Sequence, residues 1–304
     1  MRLNLQKRDK PMNRKPMRGY LFAIVSAVIY GCMPLMAKWI YADGVNPMTL
    51  VFLRNALALP SLGALAFSRE KFCGVPKAAL PKIAVLAFLG CTLTPILLFS
   101  SYNHMASGTA TVLHFIYPAM VVLGGIVFLR KKAQSVQLIS VTLCVAGVAL
   151  FYDPAQPLSA AGCAYALGSG VTFASYVLLL SRFDRSALPG LQLSFYVAAM
   201  SSAMTLLLCV LMGNFALPSS LLGWALCLLF AVAVTTGAVV LFQTSTFLIG
   251  GEDTAILSTL EPITSMLVGV WVFKETLTGK AMVGCALVIL ASIFIAAGDR
   301  LKKK

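Results

Sequence analysis

Ten runs of apolar residues follow one another along the chain, near 19–41, 48–68, 82–102, 106–129, 134–152, 160–181, 191–212, 220–247, 253–273 and 279–298. A helix needs roughly 20 mostly apolar residues to cross a bilayer and satisfies its own backbone there. The pattern therefore predicts an all-α integral membrane protein with ten transmembrane helices. Turn chemistry marks the connectors: Asp43-Gly44 with Pro47, Asp153-Pro154 with Pro157, Pro189-Gly190, and Gly213-Asn214 with Pro218. None of them has room for a soluble domain.

Composition agrees with the pattern. Apolar residues are 59% of the 304 positions and charged residues 11%, against roughly 45–50% and 25% in soluble domains. The net charge of +14 raises the question of nucleic acid, but the basic residues gather in connectors and at the ends rather than on one face. Their distribution reads as topology instead. Arg2, Lys7, Arg8, Lys10, Arg14, Lys15 and Arg18 precede the first span. Arg69, Lys71, Lys77 and Lys82 follow the second, Arg130, Lys131 and Lys132 the fourth, Arg182 and Arg185 the sixth, and Arg300, Lys302, Lys303 and Lys304 the tenth. With ten spans these twenty of 24 fall on one side, which predicts cytoplasmic N- and C-termini. The basic leader resembles a signal-peptide n-region, but the apolar run behind it is too long, so it is expected to stay as the first span. The eight cysteines show no CxxC spacing and read as small packed thiols.

The two halves can be laid over each other. At an offset of 144, Leu113, Pro118, Leu123, Gly125 and Leu143 fall on Leu257, Pro262, Leu267, Gly269 and Leu287, and at 143 Gly19 and Ser26 fall on Gly162 and Ser169. Five spans per half is an odd number, so the second half enters the membrane upside down, as in transporters built from inverted repeats. The expected organisation is a basic tail over 1–18, five-helix repeats over 19–152 and 160–298, and a basic tail over 299–304.

The run from Gly251 to Pro262, followed by Lys274-Glu275-Thr276-Leu277-Thr278-Gly279, resembles the second repeat of the EamA group of the drug/metabolite transporter superfamily. Tyr30-Gly31, Pro47 with Arg54, and Ala110 through Pro118 resemble pieces of the first repeat. The likeness spans about Gly19 to Gly298. One departure is Arg130-Lys131-Lys132, where the family has an acidic residue after span 4 as Glu275 is after span 9. The resemblance implies transport of a small metabolite, amino acid or drug, with export from a bacterial cytoplasm as the expected direction.

Glu261 is the first candidate for a site. It lies about eight residues, or ~12 Å, into span 9, where lipid exposure of a carboxylate costs at least ~2.5–3.5 kcal/mol. It should therefore face a cavity or a partner. Pro262 leaves a backbone acceptor free beside it, and Tyr117-Pro118 is its repeat mate. Glu261 and Tyr117 either line a central solute site, or Glu261 pairs structurally and Pro118 and Pro262 only kink their helices. Arg54, ~10 Å inside span 2, can bind an anion, pair with an acid or snorkel. Lys38, at the end of span 1, is expected to snorkel, and His104 to be exposed. His114 sits one turn from Pro118 and reads equally as a solute contact or a packing residue hydrogen-bonded to a neighbouring helix.

Gln243 with Thr244, Ser245 and Thr246, and Ser100, Ser101, Tyr102 and Asn103, form polar stripes that fit helix–helix contacts, with Gln243 also a candidate solute contact. Tyr30, Tyr176, Tyr196 and Trp271 fit aromatic walls or interfacial anchors, Tyr30 being the candidate for the site. Gly124-Gly125 fits close helix packing.

No Walker A, HExxH, GxSxG or kinase set is present, and no cofactor or metal is expected. The reading is a multi-pass protein of a cell inner or plasma membrane that moves a small organic solute by alternating access. Its partners are that solute and the lipid bilayer, not nucleic acid, and a homodimer is compatible with it. Two alternatives stand beside it. One is a membrane-embedded enzyme on a lipid or lipid-linked substrate, for which only Glu252-Asp253 approach an acid pair. The other is a membrane subunit without flux of its own.

Overall fold

The computed structural model describes residues 16–69, 74–129, 135–150, 159–180, 183, 188–249, 257–258, 260–274 and 278–301. Among them the ordered elements are helices. Seven are long and apolar enough to cross a membrane: α1 (Met17–Ala42), α2 (Pro47–Arg69), α3 (Lys77–Ser101), α4 (Ser107–Phe128), α6 (Ala160–Leu180), α7 (Gly190–Leu211) and α8 (Leu221–Phe242). Three more carry shorter apolar stretches: α5 (Ser135–Ala149), α9 (Leu260–Phe273) and α10 (Gly279–Leu301). The turns foreseen at Asp43-Gly44 and Gly213-Asn214 are present, with Gly44 at φ 95° and Gly213 at φ 58°, conformations that favour glycine. The runs containing Glu252-Asp253, Arg130-Lys131-Lys132 and Glu275, and the side chain of Gln243, lie outside the described residues.

Side chains are distributed inside out relative to a soluble protein. Leu211, Leu221 and Phe128 are exposed, whereas Ser26, Asn55, Thr92, Gln192, Ser201 and Thr205 are buried. Lipid solvates the apolar rim, and the polar groups find partners between helices. Asn55 donates to the Val51 carbonyl (2.8 Å) and to Ser201 Oγ (3.1 Å), tying α2 to α7.

Several helices are interrupted beside a proline, because proline withholds the amide that the carbonyl four residues back would accept. α1 breaks at Cys32 before Pro34, α2 at 57–58 before Pro60, and α4 at 115–116 before Pro118. α3 and α8 loosen to π-helical geometry over Ala87–Leu93 and Ala231–Ala238, stretches that begin 144 residues apart. A hydroxyl from a neighbour meets each. Thr92 pairs with Ser201 of α7 at 2.8 Å, and Thr236 pairs with Ser61 of α2 at 2.7 Å.

The helices interleave. α1 packs on α8 and α9, and α6 packs on α3 and α4. α2 packs on α8, α7 packs on α3, and the pairs α2–α7, α4–α9 and α5–α10 cross each other. Glycines let backbones approach at these crossings. A Cβ on Gly19 would overlap Leu248 and Ile249, and one on Gly162 would overlap His104 and Met105. Both residues of each contact thus have their counterpart 143 or 144 positions away. At α5–α10, a Cβ on Gly147 would lie 2.7 Å from the Gly284 carbonyl.

One end of the bundle is fastened by polar contacts between the α1–α2 and α7–α8 connectors. Asn46 caps α2 by accepting from the Thr49 amide (2.8 Å) and donates through Nδ2 to the carbonyl and Oδ1 of Asn214 (3.0 and 2.8 Å). The Asp43 carboxylate accepts from Ser219 Oγ and from the Ser220 amide, both at 3.1 Å. Those hydrogen bonds, from Ser220 first, hold its pKa below the ordinary 3.8. Phe52 and Phe215 close the apolar side at 5.7 Å.

Candidate functional site

The centre of the bundle collects the polar side chains that fit none of these contacts. Tyr30 comes from α1 beside the Pro34 break, Arg54 from α2, Cys91 from the π-helical stretch of α3, Tyr117 from α4, Tyr176 from α6 and Glu261 from the first turn of α9. Tyr102 stands just past the end of α3. They lie within electrostatic range of one another: Tyr30 of Arg54, Glu261 and Cys91, Tyr102 of Glu261 and Arg54, and Tyr117 of Glu261 and Tyr30. Tyr30, Cys91, Tyr117, Tyr176 and Glu261 are only half-buried although protein surrounds them, as expected of the wall of an internal space. Gly31 lets α1 approach this wall, since a Cβ there would lie 2.8 Å from the Glu261 carbonyl and would overlap Thr264.

The structure thus brings together Glu261, Tyr117, Arg54 and Tyr30 from the sequence candidates. Arg54 does not snorkel. It is buried, and its Nε donates to Thr235 Oγ1 at 3.3 Å. Among the described residues neither Arg54 nor Glu261 forms an ion pair, with each other or with another charge.

His114 is buried beside Tyr117. Its Nδ1 is 2.8 Å from Ser169 Oγ of α6. Ser169 spends its own proton on the Ala166 carbonyl at 2.6 Å, so Nδ1 is the donor in that pair. The ring also faces Tyr117 and Phe173 at 5.7 and 5.6 Å. The hydrogen bond of His114 to Ser169 joins α4 to α6.

An aromatic run continues from it. Tyr117 meets Phe173 edge-on at 4.8 Å, and Phe173 stacks on Tyr176 at 5.6 Å. Trp271 is exposed, Tyr196 packs beside Phe195 at 5.4 Å, and neither joins the cluster. Lys38 lies 4.3 Å from the Phe273 ring centroid, and His104 is exposed beside Tyr165 at 5.5 Å.

Pro118 stands just after the break in α4. Pro262 stands in the first turn of α9, with Leu257 and Ser258 also helical before it. The carbonyl that Pro118 leaves free belongs to His114, and α6 crosses close to it: a Cβ on Gly170 would lie 2.8 Å from that oxygen. Three contributors were not singled out from the sequence. Thr235 holds Arg54, Phe173 joins the two tyrosines, and Cys91 sits beside Arg54. Thr235 carries the one usable signal, a hydroxyl inside the most apolar span. Among the described residues no group of histidines, cysteines and carboxylates could hold a metal ion, and the described cysteines are free thiols.

An inside-out helical bundle with polar groups at its centre defines a multi-pass membrane protein. The sequence pattern of the EamA-like transporter family matches this chain twice, over residues 17–152 and 160–297, and the chain belongs to that family, within the drug/metabolite transporter superfamily. An uncharacterized transporter of Archaeoglobus fulgidus is 26% identical over 91% of this chain and 96% of its own length. An uncharacterized transporter of Haemophilus influenzae is 26% identical over 47% of this chain and 46% of its own length. A WAT1-related protein of Arabidopsis thaliana is 28% identical over 48% and 43%. The chain therefore spans about half the length of the last two relatives. A solved crystal structure shares its fold at a TM-score of 0.65 and 16% identity, over 94% of this chain and 99% of that one.

Proposed function

We propose that this protein is a secondary transporter of a small organic solute, built as two inverted five-helix repeats, α1–α5 and α6–α10, that work by alternating access. The observation that carries this reading is the exchange relation in the packing. Replacing α1, α2, α3, α4 and α5 by α6, α7, α8, α9 and α10 turns α1–α8 into α6–α3, α1–α9 into α6–α4 and α2–α8 into α7–α3. It leaves α2–α7, α4–α9 and α5–α10 as they are. A bundle related to itself in this way has two arrangements of similar energy, open to opposite sides, when the axis lies in the membrane plane. The polar cluster stands where the exchanged helices meet, the place such a mechanism needs for its solute.

In this reading the ten helices span a cell inner or plasma membrane, with both termini in the cytoplasm and export as the direction. The basic-residue asymmetry supports that orientation. The Asp43–Ser220 and Asn46–Asn214 contacts then close the outer end, and the helix breaks beside Pro34, Pro60 and Pro118 supply the hinges. No Walker A sequence supports direct use of ATP, so an ion or solute gradient drives the cycle.

The experiment is reconstitution of the purified full chain in sealed liposomes loaded with a panel of amino acids, organic acids and amphipathic drugs. The expected result is protein-dependent, saturable efflux of one chemical class. Unchanged retention of the whole panel, with the protein inserted and folded, contradicts the reading.

A further inference from the structure

We propose that the solute carries a carboxylate, and that Arg54, seconded by the Tyr102 hydroxyl, is the receptor for it. This rests on the transporter reading above and adds a substrate class to it. Arg54 is 8% exposed and Tyr102 5%. A guanidinium stays charged whatever its surroundings, and a buried charge is tolerated when paired and hydrogen-bonded. Arg54 has one hydrogen bond, from Nε to Thr235 Oγ1, and a ring contact, its guanidinium carbon 5.8 Å from the Phe99 centroid. Its Nη1 and Nη2 have no partner among the described residues. Its electrostatic neighbours are a thiol and two phenols, Cys91, Tyr30 and Tyr102, with no carboxylate among them.

Tyr102 Oη is also buried without a hydrogen-bond partner. The Thr111 hydroxyl lies near it, donating to the Ser107 carbonyl at 2.9 Å and accepting from Ser265 Oγ at 3.1 Å, so it has one lone pair left and no proton to give. The cationic fork of Arg54 thus lacks an acceptor, and beside it the Tyr102 hydroxyl makes no well-formed hydrogen bond. The planar fork of Nη1 and Nη2 matches the two oxygens of a carboxylate. A single guanidinium balances the single charge of that group, whereas a phosphate dianion would keep a charge unmatched. No ion pair joins Glu261 to Arg54 among the described residues, so Glu261 does not occupy the fork.

The test uses the full chain in nanodiscs and three pairs of probes: benzoate, hippurate and N-acetylphenylalanine, each against its own carboxamide, with phenyl phosphate as a further arm. Binding is read by titration calorimetry, and flux of the same probes is read in liposomes. The expectation is at least one carboxylate that binds about tenfold or more tightly than its amide, a size typical of charge-assisted bidentate pairing. That preference should fall below about twofold in Arg54→Gln, survive in part in Arg54→Lys, and weaken in Tyr102→Phe, which keeps the ring.

Equal binding of acid and amide, a preference unchanged in Arg54→Gln, binding of phenyl phosphate in place of the carboxylates, or no carboxylate binding at all overturns the proposal. If Arg54→Gln does not fold, Tyr102→Phe and Arg54→Lys decide on the same ratio. The two readings separate cleanly. Flux without acid preference removes the carboxylate receptor and leaves the transporter. Arg54-dependent binding without flux does the reverse.

Discussion

Tyr117 and Glu261 stand 144 residues apart in sequence, each directly before a proline, and come within electrostatic range of each other in the bundle. The relation joins α4 to α9, two helices that cross each other. If the halves are repeats, one structural position has been given two chemistries: a phenol that can donate or accept on one side, and a carboxyl on the other. In the proposed transport cycle, symmetric halves would supply the movement and the asymmetric pair a site for one solute in one orientation.

Gly31 is the point at which α1 reaches that pair. A side chain there overlaps Thr264 and presses on the Glu261 carbonyl, and backbone yields less readily than a side-chain tip. Gly31→Val is expected to destabilise the protein by about 1–3 kcal/mol through overpacking. The loss is read as a lower melting temperature in detergent than that of Gly74→Val, where a Cβ meets nothing within 4 Å. Equal melting of the two variants contradicts the close α1–α9 approach.

The connector clasp should respond to acid. The Ser220 and Ser219 donors favour the ionised form of Asp43, so its folded-state pKa is lowered. A lowered carboxylate pKa contributes stability that is present above the unfolded value and lost as pH falls through the folded one. The melting temperature of the wild type relative to Asp43→Asn is therefore expected to be highest near neutral pH and to shrink toward zero below about pH 4. A difference that grows on acidification runs against that sign.

Topology can be checked end by end. Reporters at residues 1, 75, 131, 184 and 304 are expected to read cytoplasmic, and those near 44, 155 and 215 external. Positions 44 and 215 must agree in any case, because Asn46 and Asn214 are bonded. A reporter near 155 on the cytoplasmic side contradicts the ten-span count.

Seven of the ten expected spans were legible because lipid demands one kind of run. Positions 106–129 were expected for the fourth, and the helix covers Ser107–Phe128. The turns at Gly44 and Gly213 were legible because few residues accept their φ. The breaks before Pro34 and Pro60 went unread, since proline in a membrane helix bends it only where neighbours accept the freed carbonyl. The loosened stretches in α3 and α8 carry no signal stronger than scattered threonines.

At the site, Glu261, Tyr117 and Arg54 were legible as polar groups at depth, and Tyr30 as an aromatic wall or interfacial anchor. Which way each faced was not, because the helices are apolar nearly all round and give no stripe to orient them. Arg54 shows the limit: spacing allowed it to snorkel, to pair or to bind an anion. Only the packing of α2 against α8, with Thr235 opposite, turns it inward.

The central claim, a solute path through the cluster around Glu261, is tested most directly by flux through reconstituted protein with Glu261 replaced. Saturable efflux of the wild type's solute from sealed liposomes is compared with that of Glu261→Ala and Glu261→Gln, with insertion and melting checked for each. The account predicts that Glu261→Ala stays folded and loses at least about tenfold in flux, equivalent to about 1.4 kcal/mol. Glu261→Gln should keep much of the activity if a neutral donor is what the solute needs, and lose it if proton release is required. Wild-type flux in a stably folded Glu261→Ala protein would contradict the account and leave the carboxyl as a bystander to the bend at Pro262.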